Sequence, residues 1–430
     1  MNAEFTHDTL TNRPYDSSSG QDKLIILGAG PFQMHLIEMA QAMDAYVIAV
    51  TPHGTYPGIK VADKVYFHDA KIEEYVADVA RVENVNGVIS DQGEIFVRAV
   101  AYAAEKMGLP GNGYETALLY TDKHRMRVRT KELGLATIES VMVYTLDEAL
   151  EAFRSFGTTA IIKPVDASSS RGISKIPDEA ELIAKWDEAK EISRSGGVII
   201  EKFIEGPQFE VDSIAAGGHV VPLMYADLDE FKIPNVFSSK TRLYPADIDE
   251  ETTKRLLDYS QKVNEGFGMI QGLSHNEYIM DAKTGEIYLI EAALRGGGTY
   301  IASYITQLQT GIDTAEFLVN VALGRTHDVP EFEMNQCSCG YVCFYMPFGE
   351  IISMEGADEV EALDYVVKTN LGNFKVGQHT LSATDKNQRV AIVLFADSRP
   401  QIMERIEHIK ELINVKVKGD DGVIRGAIWE

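Results

Sequence analysis

The stretch Gly268–Thr299, GMIQGLSHNEYIMDAKTGEIYLIEAALRGGGT, constrains this chain more than any other. It reads as two strands, about Leu273–Asp281 and Glu286–Ala292, joined by a turn that holds Lys283, Thr284 and Gly285. Glycine supplies the positive φ such a turn needs, and apolar residues alternate on both sides of it. With the pairing centred on Thr284, Glu277 faces Glu291 across the ladder. Directly opposed side chains have Cβ atoms about 5 Å apart, where like charges repel. A divalent cation with oxygen ligands, typically Mg2+, would reconcile the two carboxylates. A solvated sheet face would leave them as ordinary surface residues. Arg295 and the run Gly296-Gly297-Gly298 follow at once and favour the first reading. An arginine beside small residues with free N–H groups makes an anion cradle.

At 430 residues the chain is too long for one core, so about two to four domains are expected. Its net charge of −25 excludes bulk attraction to nucleic acid or to an anionic membrane surface. An anionic substrate must then be met by individual lysines and arginines in a cleft. No apolar run approaches the roughly 18 residues of a spanning helix. Residues 1–22 are polar and lack the pattern of a secretory signal, which predicts a loose tail. Cys337, Cys339 and Cys343 would need a fourth ligand to bind zinc, and His327 is the nearby candidate. The alternation over Cys339–Met346 suits a buried strand instead. Nothing resembles a disulfide framework, in keeping with a reducing cytoplasm.

Lys23-Leu-Ile-Ile-Leu27 reads as a strand, Gly28-Ala-Gly30-Pro-Phe-Gln33 as a turn, Met34–Met43 as a helix and Tyr46–Val50 as a second strand. That order is a doubly wound βαβ unit. The dinucleotide fingerprint's third glycine is missing, and Thr51 and Pro52 follow the second strand where an acid is wanted. A nicotinamide-dependent dehydrogenase is thereby disfavoured. Gly87–Ser90 is a further strand, ending in Asp91 and followed by a helix over Phe96–Met107; Leu109–Gly113 (LPGNG) marks a boundary. Thr121 and Asp122 then cap a helix whose first turn carries Lys123 and which ends at Gly134. A helix over Leu146–Phe156 leads to the strand Ala160–Pro164, with Lys163 at its mouth. The polar loop Val165–Gly172 (VDASSSRG) and a strand Ile173–Ile176 come next. Small side chains there would let backbone approach a phosphate, as in a covering flap; an ordinary serine turn is the plainer alternative. It is not a P-loop, because no G-K-[ST] opens a helix. Gly197–Ile204 (GVIIEKFI) is a buried strand that ends acidic-basic, and Phe209–Ala216 carries Glu210 and Asp212. Lys240 and Arg242 lie in mixed strand and loop, and Ile248–Glu265 is an amphipathic helix. A helix near Asp313–Ala322 closes this region. Strands Gly340–Met346 and Val390–Phe395 and the helix Arg399–Leu412 make a last α+β unit.

The order of these features resembles the ATP-grasp superfamily over about residues 23–325: a lysine opening a helix, a lysine before a small-residue loop, E-K-F-I, then two strand glutamates followed by arginine. Within it the chain is most similar to carbamoyl-phosphate-synthase-like and L-amino-acid-ligase-like members, and its last unit is weakly like the end of biotin carboxylase. The resemblance implies an α/β (α+β) ATP-grasp fold. After the tail at 1–22 it implies an N-terminal Rossmann-like domain at 23–115 and an ATP-grasp domain at 116–325 with a lid at about 125–205. A C-terminal α+β domain at 326–430 would follow. It implies that Lys123 and Lys163 contact ATP phosphates under a flap of Ser168–Gly172, with Ser169, Ser170 and Gly172 against the nucleotide. Glu201 and the backbone of Lys202, Phe203 and Ile204 would read adenine, with Ile204 on the ring, and Gln208 or Glu210 would hold the ribose. Glu277 and Glu291 would ligate Mg2+ (or Mn2+). Arg295 and Lys240 would hold the transferred phosphoryl group or the acceptor carboxylate. Many members carry asparagine two residues after the second glutamate; Ala293 stands there, and His275 is a candidate to compensate, though a satisfied strand histidine is the plainer reading.

The implied chemistry is phosphorylation of a carboxylate by ATP, then attack of an amine on the acyl phosphate. Positioning, metal and cationic clamps would carry it without a side-chain nucleophile. The implied partners are a small carboxylate and a small amine, in the cytoplasm, with a homodimer possible by analogy and neither nucleic acid nor membrane involved. Two alternatives stand beside the ligase: an enzyme activating bicarbonate to carboxyphosphate, and a non-catalytic nucleotide sensor on the same fold.

Overall fold

Strands Lys23–Leu27 and Tyr46–Thr51 carry the unbroken apolar runs Leu24–Leu27 and Val47–Val50, as parallel strands covered on both faces do. They form the centre of a five-stranded sheet in the computed structural model, which describes residues 7–167, 171–234, 236–381 and 388–430. The sheet runs Thr9–Thr11, Lys64–Phe67, Tyr46–Thr51, Lys23–Leu27, Gly87–Ile89, and only the first strand is antiparallel. The expected loose tail is therefore tied down from Thr9 onward. The N–H groups of Asn12 and Arg13 both donate to the Asp63 carbonyl, and the Tyr15 ring meets Tyr46 edge-on at 5.1 Å.

A four-stranded antiparallel sheet follows, in the order Ser140–Val143, Val198–Lys202, Ala160–Pro164, Ser174–Ile176. Helices Leu146–Phe156 and Glu179–Ile192 cover it, the first opened by a capping box between Thr145 and Glu148.

The largest sheet has eight antiparallel strands: Ile287–Ala293, Gly272–Met280, Gln208–Ala216, His219–Glu230, Ser239–Tyr244, Ser338–Tyr345, Arg389–Ala396 and Val366–Thr369. It runs across the boundary expected near residue 326, because Ser239–Tyr244 pairs directly with Ser338–Tyr345. Residues on either side of that boundary thus share one ladder. A single apolar core joins Leu24 and Leu36 of the N-terminal unit, through Phe317 and Leu318 of the helix Thr314–Ala322, to Tyr341 and Val393. Cys339 and Cys343 are buried in the strand Ser338–Tyr345, as their alternation predicts, and all three cysteines are unpaired. No helix among the described residues is long and apolar enough to cross a membrane.

Candidate active site

The glutamate hairpin consists of Gly272–Met280 and Ile287–Ala293, with Gly285 at φ +70° in the turn. Close to the turn Met280 pairs with Ile287 and Tyr278 with Leu289. Continued unbroken, that register would set Glu277 opposite Ile290. A bulge absorbs Ile290, so Glu277 faces Glu291 and His275 faces Ala293. On the other side of Gly272–Met280, Glu210 pairs with Glu277 and Asp212 with His275. Three glutamates therefore cross three strands in one row. Four opposing cations and protonation keep such a row together.

Lys123 is the first of these. Asp122 caps the helix Lys123–Glu132 by accepting the Arg125 N–H at 2.9 Å. Lys123 Nζ lies 2.6 Å from Glu291 Oε1 and donates to the Ala167 carbonyl at 2.7 Å. Burial pushes the Glu291 carboxyl upward, yet Lys123, Lys163 and Arg295 outweigh it and hold the group down at about 2. One turn along the same helix face, Arg127 grips Glu201 through Nε at 2.8 Å and a terminal nitrogen at 3.3 Å. The same terminal nitrogen donates to the carbonyl of the bulged Ile290 at 2.6 Å. Lys163 Nζ reaches the other side of this pair, 2.5 Å from Glu201 Oε2. Burial, with the charges of Arg127 and Lys123, pulls Lys163 down to about 8 despite Glu201.

Arg242 compensates the far end of the row. Its terminal nitrogens contact Glu210 and, at 2.6 Å, Glu277 Oε1. One of them also donates to His275 Nε2 at 2.8 Å, which leaves Nδ1–H of His275 to donate to Asp212 at 2.9 Å. Burial, with Arg242 and Arg295 nearby, pushes His275 well below its usual range, so it is neutral. Burial opposes ionisation of Glu277, but Arg242 keeps its carboxyl low. Glu210 and Asp212 go the other way: burial drives Glu210 well above the carboxylate range and Asp212 up to about 8. Among the described residues Glu210, Asp212 and His275 are grouped closely enough to ligate a metal, but the guanidinium of Arg242 already occupies that position. The ionised, oxygen-only pair Glu277 and Glu291 is the donor set that fits a hard divalent cation.

Two expected site residues are placed elsewhere. Glu210 is fully buried beneath the cleft, bonded to Arg242 and Tyr244, and offers nothing to a ribose; Gln208, two residues earlier, lines the cleft. Lys240 is the extra residue of a second bulge, since Asp229 pairs with Thr241 and Glu230 with Ser239. It turns out of the cleft to Asp229 at 2.9 Å and Glu430 at 3.1 Å. Arg242, two residues on, takes the cleft position. Arg295 lines the cleft with a buried Nε that has no partner among the described residues and with Glu94 at 3.8 Å. Of the glycines after it, Gly298 lines the cleft with open space around it, whereas Gly296 and Gly297 are closed off. The Gly296 N–H donates to the Asp91 carbonyl at 2.7 Å, and a Cβ at Gly296 or Gly297 would collide with Ala302 or Ile301 at 2.6 Å.

Lys202, Phe203 and Ile204 line the opposite end of the cleft. The N–H groups of Lys202 and Phe203 bond to the carbonyls of Glu139 and Thr159, while that of Ile204 has no partner among the described residues. The Glu201 carboxylate is taken by Arg127 and Lys163, so backbone rather than this side chain is left to meet a base. Ser168, Ser169 and Ser170 lie outside the described residues. Gly172 has φ +70° and packs so closely that a Cβ would stand 2.9 Å from Pro164. In the N-terminal unit, the Gln33 side chain accepts the Gly30 N–H at 3.2 Å and fills the glycine turn, where a pyrophosphate would have to lie.

Sequence reasoning missed three cleft residues, Glu94, Arg242 and Arg389, and Arg127, which holds Glu201. Glu94, after the carboxyl end of the strand Gly87–Ile89, follows the general placement of ligand sites in parallel sheets. Burial, with Glu291 across from it, pushes Glu94 up to about 7 against Lys123 and Arg295. Arg127 was marked by its spacing of four from Lys123, whereas Arg242 and Arg389 reach the cleft only through tertiary structure. The whole cleft encloses about 500 Å3, a volume suited to small ligands.

Residues 156–303 match the family model described as the ATP-grasp domain. Alanine–anticapsin ligase of Bacillus subtilis is 26% identical over 389 residues, covering 83% of this chain and 81% of that one. The solved L-amino acid ligase of Bacillus licheniformis superposes with a TM-score of 0.79 at 20% identity, over 92% of this chain and 98% of the other. The biotin carboxylase domain of Hydrogenobacter thermophilus 2-oxoglutarate carboxylase, solved with MgADP and bicarbonate, gives a TM-score of 0.73 at 17% identity, over 94% and 91%.

Proposed function

We propose that this chain, whose residues 156–303 match the ATP-grasp domain, activates a small carboxylate as an acyl phosphate with ATP and joins it to an amine, releasing ADP and phosphate. The observation that carries this reading is the row of ionised Glu277 and Glu291, flanked by Lys123, Lys163 and Arg295, with Glu94 beside Arg295 in the same cleft. Glu277 and Glu291 would hold Mg2+ (or Mn2+), which when bound neutralises charge on the phosphates.

Lys123 and Lys163 bind the phosphates, and the free N–H of Ile204, with Phe203 beside it, meets the adenine. Gln208 is the ribose contact. Flap residues Ser169, Ser170 and Gly172 would close over the phosphates. Arg295 offers its unpartnered Nε to the oxygen that gains charge during transfer. Glu94 then takes the proton that the attacking amine must lose; its carboxyl, at about 7, is suited to that exchange near neutrality. The four-stranded subdomain contributes Ile161 and Ile173 to the cleft and keeps water from the acyl phosphate. His275 faces Ala293 across the ladder and is a positioning group for Glu277 through Arg242. The reaction belongs in the cytoplasm, where three unpaired thiols are stable.

The test is ATP-dependent release of ADP and phosphate with separate pools of amino acids, small carboxylates and bicarbonate. Turnover is expected with the amino-acid or carboxylate pools, falling about 10²- to 10³-fold in Glu291→Gln. Turnover with bicarbonate alone would replace the ligase by a carboxyphosphate-forming enzyme. Tight ATP binding without turnover in any pool would favour a sensor.

A further inference from the structure

The cations that line the cleft are of two kinds. Lys123, Lys163 and Arg242 each have a carboxylate oxygen within 2.6 Å, and Arg295 has one at 3.8 Å. Arg389 has none among the described residues. Its guanidinium donates to Ser238 Oγ at 2.8 Å, to the Ser239 carbonyl at 3.2 Å and to Thr299 Oγ1 at 2.6 Å, and it stands 5.8 Å from the Tyr341 ring. All five of these residues line the cleft. Arg389 is half-buried and keeps its full charge.

The hydroxyls extend this charge into a pocket of donors. Ser238 and Thr299 accept from Arg389, and Ser239 Oγ accepts from Arg242 Nε at 2.9 Å. A hydroxyl that accepts from a guanidinium still has its own hydrogen to give. Thr299 sits at φ +53°, a conformation that a β-branched residue rarely adopts, so its hydroxyl is held toward Arg389 at some cost to the backbone. In a chain of net charge −25, an arginine with no carboxylate partner among the described residues, ringed by hydroxyl donors, is built to receive an anion.

We propose that Arg389, Ser238, Ser239 and Thr299 form a subsite for a carboxylate that does not react. It belongs to the amine-bearing substrate, which is therefore an amino acid whose own carboxylate stays free in the product. This assignment rests on the ligase reading above. The reacting carboxylate has its place beside Arg295 and the glutamate row, where it loses charge on phosphorylation. The Arg389 pocket, built on the strands Ser239–Tyr244 and Arg389–Ala396 of the same sheet and on the loop at Thr299, reads a charge that persists through the reaction.

The test compares L-amino acids with their amides as amine donors, measuring kcat/KM from ADP release in the wild type and in Arg389→Met, Arg389→Lys and Ser238→Ala. In the wild type the free acid is preferred by about 10- to 100-fold, the range of a hydrogen bond to a charged group. Arg389→Met brings that ratio close to one, mainly through KM for the acid, Arg389→Lys restores part of it, and Ser238→Ala lowers it a few-fold. Comparing ratios between proteins cancels the weaker basicity of the amides. Should Arg389→Met fail to fold, Arg389→Lys and Ser238→Ala still decide. An amide used as well as the acid by the wild type, or a ratio unchanged in the variants, overturns the subsite while leaving the ligase reading intact. Wild-type protein that releases ADP with no amine at all overturns the ligase reading, and the subsite with it.

Discussion

The two ends of the cleft treat positive charge differently. At the phosphate end Arg127, Lys163 and Lys123 are each locked to Glu201 or Glu291, and the buried side chains leave one another little freedom. At the other end Arg389 is held by hydroxyls and a carbonyl, with no opposite charge among the described residues. A paired, buried cation is part of the structure and is already in place when nucleotide arrives. An unpaired one is a standing vacancy for an anion, and it adds little to the fold because its desolvation is not offset by attraction. The difference therefore predicts separate consequences: breaking the first end should cost stability, and breaking the second should cost recognition.

The largest expected effect tests that division. Arg127→Met leaves Glu201 with Lys163 alone and strips the donor from the bulged Ile290 carbonyl. Losing one partner of a buried ion pair costs about 3–5 kcal/mol. Arg389→Met removes three hydrogen bonds but also an uncompensated charge, so it should change stability by no more than about 1 kcal/mol. Denaturant unfolding of the two variants side by side measures this. Equal losses would break the comparison, since Arg389 would then be as structural as Arg127.

A smaller effect sharpens the phosphate end. Lys163 loses its proton near 8 in the free protein, far below an ordinary lysine, because of burial and its two cationic neighbours. Phosphate oxygens favour the charged form, so nucleotide binding raises this value. Below about 8 Lys163 is already charged and no proton is exchanged. Above it ATP must bring a proton with it, and affinity should fall by up to about tenfold per pH unit. Calorimetric titration of ATP at pH 8.5 to 9.5, in buffers of different ionisation heat, should show proton uptake that vanishes in Lys163→Met. Uptake unchanged in the variant would assign the proton to another group.

How much of this was legible follows from which residues obey local periodicity. The glutamate pair was, because strands of period two joined by a glycine turn place Glu277 and Glu291 on one face. The bulge that makes them face each other was not. Ile290 is an ordinary strand residue, and nothing in its chemistry says that it will be skipped, so the pairing centred on Thr284 reached the right partners by a register that holds only beyond the bulge. The bulge at Lys240 had the opposite result: Lys240 and Arg242 looked equivalent, and only the register with His219–Glu230 shows which of them enters the cleft. Glu210 was on the right strand and face, but the partners that bury it, Arg242 and Tyr244, lie more than thirty residues away. Arg389 needed most of all, an eight-stranded sheet that carries a C-terminal strand into a cleft begun by the glutamate hairpin. Non-local strand pairing of that kind leaves no mark on the sequence around the residue it positions.

The smallest expected effect concerns Glu94, which lines the cleft near Lys123, Glu291 and Arg295 and is locked to none of them. It is the acid of Arg295, yet at 3.8 Å the pairing is loose, and burial beside Glu291 raises its carboxyl to about 7. If it accepts the amine's proton, it must be ionised to act, so kcat/KM should rise with pH through about 7 and level off above it. Glu94→Gln should lose that limb and run at a low, flat rate, roughly tenfold or more below the wild-type plateau. Stability should move the other way. A carboxyl whose folded value lies above its unfolded value contributes most below about 4.5 and loses that contribution as pH rises through about 7. The glutamine variant has no such loss, so its advantage over the wild type should grow between pH 5 and pH 8. A variant that is slower but keeps the limb near pH 7, or one no more stable at pH 8 than at pH 5 relative to wild type, would remove Glu94 from the proton's path and leave it as a wall residue of the cleft.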